Sequence, residues 1–76
     1  MTKLPALTGK ELIYFLQKMG FYVVRQRGSH IILQHNDKRS TVIPIHSGES
    51  IGQGFLSKIL RDIEMTKDEF IAFVNK

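Results

Sequence analysis

Hydrophobic spacing changes period twice along this chain, which confines it to a mixed α and β fold. Leu12, Phe15, Leu16 and Met19 recur at i, i+3, i+4 and i+7, one face of a helix. From Tyr22 to His35 apolar and polar residues alternate instead, the period of a strand. Leu56, Ile59, Leu60 and Ile63 return to helical spacing, and Phe70, Phe73 and Val74 form a short third stripe. Gly28-Ser29 splits the alternating segment into strands Tyr22 to Arg27 and His30 to His35. A two-residue loop with glycine first is the signature of a type II′ turn, whose first central residue needs positive φ. A third strand, Thr41 to Ile45, follows the polar turn Asn36-Asp37-Lys38-Arg39. Pro44 has no N–H to donate, so this strand lies at an edge or ends near it. The expectation is an α+β fold: one helix, a three-stranded antiparallel sheet, a second helix and a short C-terminal one.

Three helix starts share one grammar. Thr8-Gly9-Lys10-Glu11, Ser50-Ile51-Gly52-Gln53 and Thr66-Lys67-Asp68-Glu69 each read as a capping box. Leu7 with Leu12, and Met65 with Phe70, occupy the positions of a hydrophobic staple. Gly20 is placed to close the first helix in a left-handed cap. Phe70 and Phe73 read as core rather than as stacking surfaces. Residues 1–76 read as one domain, with residues 1–6 frayed at its edge.

Size and charge narrow the function classes. A chain of 76 residues cannot hold a dinucleotide-binding fold or a barrel. It has no cysteine, so disulfides, thiolate catalysis and cysteine zinc sites are excluded. No apolar run approaches the ~20 residues of a membrane span. The first residues lack a signal-peptide core, and a cytoplasmic chain is expected. The formal charge of +4 is unevenly spread: residues 1–48 carry seven of the eleven Lys and Arg and only two of the seven acids. A basic half beside a neutral half suggests a phosphate-facing surface on a scaffold.

The hairpin turn fixes which side chains share that surface. With Gly28-Ser29 as the loop, Arg27 pairs with His30, Arg25 with Ile32 and Val23 with Gln34. Alternation then puts Tyr22, Val24, Gln26, Ile31, Leu33 and His35 on the face that takes the helices. Val23, Arg25, Arg27, His30, Ile32 and Gln34 share the other face. His30 thus stands among two arginines. The ordinary reading of a histidine after a turn is a solvent-facing polar residue. The chemical reading is a base that is available near neutral pH, beside guanidinium groups able to hold a phosphate. With RNA's own 2′-hydroxyl these suffice for strand cleavage without a metal.

No metal or small-molecule cofactor is expected. His30 and His35 fall on opposite faces, and His35 reads as a strand-end residue. His46, closing Pro44-Ile45-His46, can approach from the third strand and is the candidate for a second catalytic or phosphate-binding group. The glycines at 52 and 54 are a weak anion cradle, with no Lys-Ser/Thr motif after them, and read as sites of close packing. Lys10, Lys38 and Arg39 are candidate backbone contacts, although such residues are more often just solvated charges.

Several segments together resemble one family. They are Gly20-Phe21, Val24-Arg25-Gln26-Arg27-Gly28-Ser29-His30, Val42-Ile43-Pro44-Ile45-His46, and Gly54-Phe55-Leu56-Ser57-Lys58-Ile59-Leu60-Arg61. The chain resembles a HicA (YcfA-like) toxin from about Thr8 to Phe73. Many members carry a second histidine where this chain has Ile31, and often Thr where Phe55 stands. The resemblance implies a double-stranded-RNA-binding-like fold, metal-independent mRNA cleavage and inhibition by a HicB-type antitoxin. It assigns the catalytic histidine to His30.

The two lines combine into one expectation. His30 is the general base on a 2′-hydroxyl, Arg25 and Arg27 stabilise the charge that builds on phosphorus, and Gly28 and Ser29 set the position of His30. His46, then Lys58, are candidates for the leaving-group acid. Two other classes stay open: a non-catalytic RNA-binding module of the same fold, and a protein-interaction subunit that uses the apolar strip of Val23 and Ile32. Against the former, the second helix start lacks the lysine cluster that such modules use on duplex phosphates.

Overall fold

The computed structural model describes residues 4–46 and 48–75. Helix α1 (Gly9–Lys18) is followed by strands β1 (Tyr22–Arg27), β2 (His30–Gln34) and β3 (Ser40–Pro44), then by helices α2 (Gln53–Asp62) and α3 (Lys67–Val74). The strands form one antiparallel sheet in the order β1-β2-β3. The fold is therefore the expected α+β arrangement, with β3 at an edge and Pro44 as its last residue.

One face of the sheet is buried. Ile31 and Leu33 of β2 and Thr41 and Ile43 of β3 lie under the helices, whereas His30, Ile32, Val42 and Pro44 alternate to the outside. Helices α1 and α2 pack over β3. Leu12 and Leu16 of α1 and Leu56, Ile59 and Leu60 of α2 complete the core, with Ile63 and Phe70 beside them. Thr41 is the buried polar residue of this core, and its hydroxyl donates to Asp62 Oδ2 at 3.0 Å.

Strand β1 departs from its expected place. Tyr22, Val24 and Gln26 do not join Ile31 and Leu33 under the helices: all six residues of β1 are exposed. The pairing Arg27↔His30 and Arg25↔Ile32 is as expected, but a bulge between Val23 and Arg25 shifts the rest, so Val23 faces Leu33 rather than Gln34. The bulge leaves one extra residue and bends the strand. Because the helices cover β3, β1 is left as an uncovered outer strand with Tyr22, Val23 and Val24 open to solvent.

The caps follow local chemistry at two of the three expected helix starts. Thr8 and Thr66 each accept from the N3 amide while Glu11 and Glu69 accept from the cap amide, both complete capping boxes. The box at Ser50 does not form. Helix α2 begins two residues later than expected, with Gly52 as an N-cap that makes no side-chain hydrogen bond. Ser50 is occupied in an isolated antiparallel bridge to Thr8, the Ile51 N–H donates to the Leu7 carbonyl, and Gln53 Nε2 reaches the Leu4 carbonyl at 3.0 Å. Long-range partners outcompete the local motif. Leu4 is buried, within the segment expected to fray; residues 1–3 of that segment lie outside the described residues. Gly20 closes α1 at φ +105°, with Phe21 N–H donating to the Leu16 carbonyl and Gly20 N–H to that of Gln17, a Schellman motif.

Candidate active site

The Gly28-Ser29 turn is fixed from both sides. Gly28 has φ +59°, and Ser29 is not among the positive-φ residues, the combination that a type II′ turn requires. Gln26 Nε2 donates to the Gly28 carbonyl at 3.1 Å, and the Ile45 N–H donates to the Ser29 carbonyl at 2.6 Å. The turn therefore ties the end of β3 to the start of β2. His30, the first residue of β2, stands between Arg27 on one side and Pro44 on the other. Arg25 lies two residues back on the same face as Arg27, opposite Ile32.

Beyond β3 the chain turns back toward α2. The Glu49 N–H donates to the His46 carbonyl at 3.0 Å, and Gly48 takes φ +76° within this turn. The fold-back opens a cleft of about 310 Å3 lined by His30, Pro44, His46, Glu49, Gly52 and Phe55, among others. His46 also lines a smaller neighbouring hollow of about 60 Å3 with Lys10 at the start of α1. His30, His46 and Lys10 thus border adjoining spaces at one end of the sheet. The start of α2 reaches the same cleft through Gly52, which makes no side-chain cap hydrogen bond.

The remaining basic residues lie elsewhere. Lys38 and Arg39 belong to the β2–β3 turn, at the opposite end of β2 from His30. Arg39 is held there: Nε donates to Asp37 Oδ2 at 2.8 Å, an Nη donates to the Ile63 carbonyl at 2.6 Å, and the guanidinium lies over the Phe21 ring. Its hydrogen bond holds the Asp37 carboxyl below the usual range. Lys58 Nζ is 3.1 Å from Asp62 Oδ2 along α2 and does not line the cleft. His35 follows β2 on the helix side, edge-on to Phe21 at 5.1 Å. Among the described residues no group of three or more His, Asp or Glu side chains is arranged to hold a metal ion.

Glu49 and Phe55 were not anticipated at this site. Phe55 stands one position off the inward stripe of α2, so helical spacing leaves it without a core role. The fold-back that puts Glu49 on the same cleft as His30 joins segments distant in sequence and has no local signature. Nor do the glycines at 52 and 54 serve close packing, since a Cβ on either would meet nothing within 4 Å. The tight approach is at Gly9, against the Pro44 carbonyl.

A sheet with one open basic face, and a histidine-lined cleft at its end, defines the molecule as a small α+β domain built to present charge. Residues 9–65 match the family described as HicA toxin of bacterial toxin-antitoxin systems. The chain belongs to that family, which makes it the toxin half of a module whose other half is an antitoxin. No curated protein matches the chain at a significant level. Among the described residues no helix is long and apolar enough to cross a membrane.

Proposed function

We propose that this toxin is a metal-independent endoribonuclease acting on mRNA, with His30 as general base. The observation that carries the reading is the pairing of two imidazoles, His30 and His46, on one cleft beside Arg27. The His30 imidazole takes the proton of a ribose 2′-hydroxyl, whose oxygen attacks the adjacent phosphorus. The bond to the 5′ oxygen breaks, and protonated His46 gives that oxygen its proton. The products are a 2′,3′-cyclic phosphate and a 5′-hydroxyl. Arg27 and Arg25 offer charge to the phosphorane, which gains negative charge as it forms. His46 is favoured over Lys58 as the acid because it lines the cleft, whereas Lys58 is engaged with Asp62.

The test is cleavage of single-stranded RNA in excess chelator by wild type and His30→Ala, with product ends analysed. Cyclic-phosphate fragments from wild type alone support the reading; equal cleavage by both removes it. Loss of the alkaline limb of the pH–rate profile in His46→Ala supports the acid assignment.

The partner reading follows from the same surface. A HicB-type antitoxin inhibits the toxin by covering the sheet face that bears His30. The exposed apolar residues Tyr22 and Val42, cross-strand partners of Gln34 and Ile32, lie on that face and supply area for such a contact, whereas the bulge moves Val23 opposite Leu33 and off it.

A further inference from the structure

The cleft that holds His30 and His46 is not uniformly cationic. No arginine among the described residues lines it: Arg27 stands on β1 as the cross-strand partner of His30, while the segment leading into α2 contributes the carboxylate of Glu49 and α2 itself the ring of Phe55. Phe55 is 37% exposed and is absent from the core and from the residues packed against it. A single exposed phenylalanine is unremarkable in itself; its position on the wall of a cleft shared with two histidines is what matters. Gly54 directly precedes it and Gly52 lies three residues before it, and both adjoin open space.

The distribution of charge orients a nucleotide. A phosphate is repelled by Glu49 and attracted to the arginine side, which places it by His30. The base then extends toward Phe55, where Glu49 can accept from an amino or imino N–H. A volume of about 310 Å3 is at the small end of ligand sites and suits one unpaired nucleotide rather than a duplex. Bases of single-stranded RNA are held in this way, stacked on aromatic rings and hydrogen-bonded at their edges.

We propose that Phe55 is the stacking platform for one unpaired RNA nucleobase, with Glu49 reading the edge of that base. The assignment rests on the ribonuclease reading for its choice of ligand, but it can fail separately.

The chain has no tryptophan, so Phe55→Trp places a sole indole in the cleft. In a His30→Ala background, single-stranded RNA should quench it saturably, while the same ribose-phosphate chain carrying abasic sites should not. In the otherwise wild-type chain, Phe55→Ala should weaken RNA binding and raise KM roughly tenfold or more, as loss of one stacked base does. Phe55→Tyr should restore both, with the pH–rate profile unchanged throughout. RNA that binds without quenching, equal quenching by the abasic chain, or an unchanged KM in a folded Phe55→Ala protein overturns the subsite. A base-dependent quench by a protein that cleaves nothing retains the subsite and removes the ribonuclease reading. Cleavage with no dependence on Phe55 does the reverse.

Discussion

Gly9 sits against the carbonyl oxygen of Pro44 so closely that a Cβ on it would overlap that atom, with Ile45 Cα only 3.3 Å away. Both contacts are backbone and cannot rotate aside. Pro44 is the cross-strand partner of His30, so the seat of α1 on β3 also braces the cleft. Gly9→Ala should therefore cost about 1–3 kcal/mol, the range for overpacking. It should also shift the His30 and His46 ring resonances. Gly52→Ala, facing open space on the other wall, should cost only a fraction of that. Urea titrations of the two variants check the contrast; equal midpoints would show that the α1 seat can relax.

The arginines divide by what their guanidinium groups touch. Arg39 satisfies the Ile63 carbonyl at the end of α2, clamps Asp37 and covers Phe21. Removing it leaves a partly buried carbonyl unpaired, a loss of about 1–3 kcal/mol. Arg39→Lys should recover little, because an ammonium cannot span both acceptors as the planar fork does. Arg27 is exposed on β1, and Arg27→Ala should stay within about 0.5 kcal/mol of wild-type stability. Its expected effect is on RNA cleavage, at least tenfold down. Thermal melts beside cleavage rates separate the two; a destabilised Arg27→Ala or a fully stable Arg39→Ala would reverse the assignment.

What the sequence made legible was what local rules decide. The glycine-first turn, the inward parity of Ile31 and Leu33, and the stripe from Leu56 to Ile63 depend on residues close in the chain, and they stand as expected. The same grammar that correctly placed the boxes at Thr8 and Thr66 misplaced one at Ser50, because Ser50 pairs with Thr8, forty-two residues away in sequence. The run Tyr22-Val23-Val24 reads equally well as a half-buried strand or an open edge, and only the placement of helices over β3 decides. The candidate site shows the same division. His30 and Arg27 meet through a two-residue turn and were readable, whereas the placing of His46, Glu49 and Phe55 depends on how the segment after β3 folds back.

Helix α2 ends on a non-glycine residue in the left-handed region. Glu64 has φ +57°, with its N–H donating to the Arg61 carbonyl and the Met65 N–H to that of Leu60. This is the Schellman closure seen at Gly20, carried here by a residue whose Cβ disfavours it. Glu64→Gly removes that strain and adds some unfolded-state entropy, so it should raise stability by up to about 1 kcal/mol. Glu64→Ala should give no gain, since it keeps the Cβ. A Tm for Glu64→Gly at or below that of Glu64→Ala would mean that the cap carries no strain.

Acid stability should depend on two carboxylates. The Thr66 backbone N–H donates to Glu69 at 2.9 Å and lowers its pKa below the ordinary 4.5. The Arg39 side chain does the same for Asp37, whose ordinary value is 3.8. A group with a depressed folded pKa holds fewer protons in the folded state than in the unfolded one over the window between the two values. Stability therefore rises with pH through that window. The contribution is complete above the unfolded value and is lost as pH falls through the folded one. Glu69→Gln retains the capping box, since an amide oxygen can accept the same bond, but it cannot titrate. The double variant Glu69→Gln with Asp37→Asn should show a shallower loss of urea midpoint than wild type as pH falls below about 4.5, with Glu69→Gln alone between them. Identical slopes in all three proteins would place the acid sensitivity in other carboxylates.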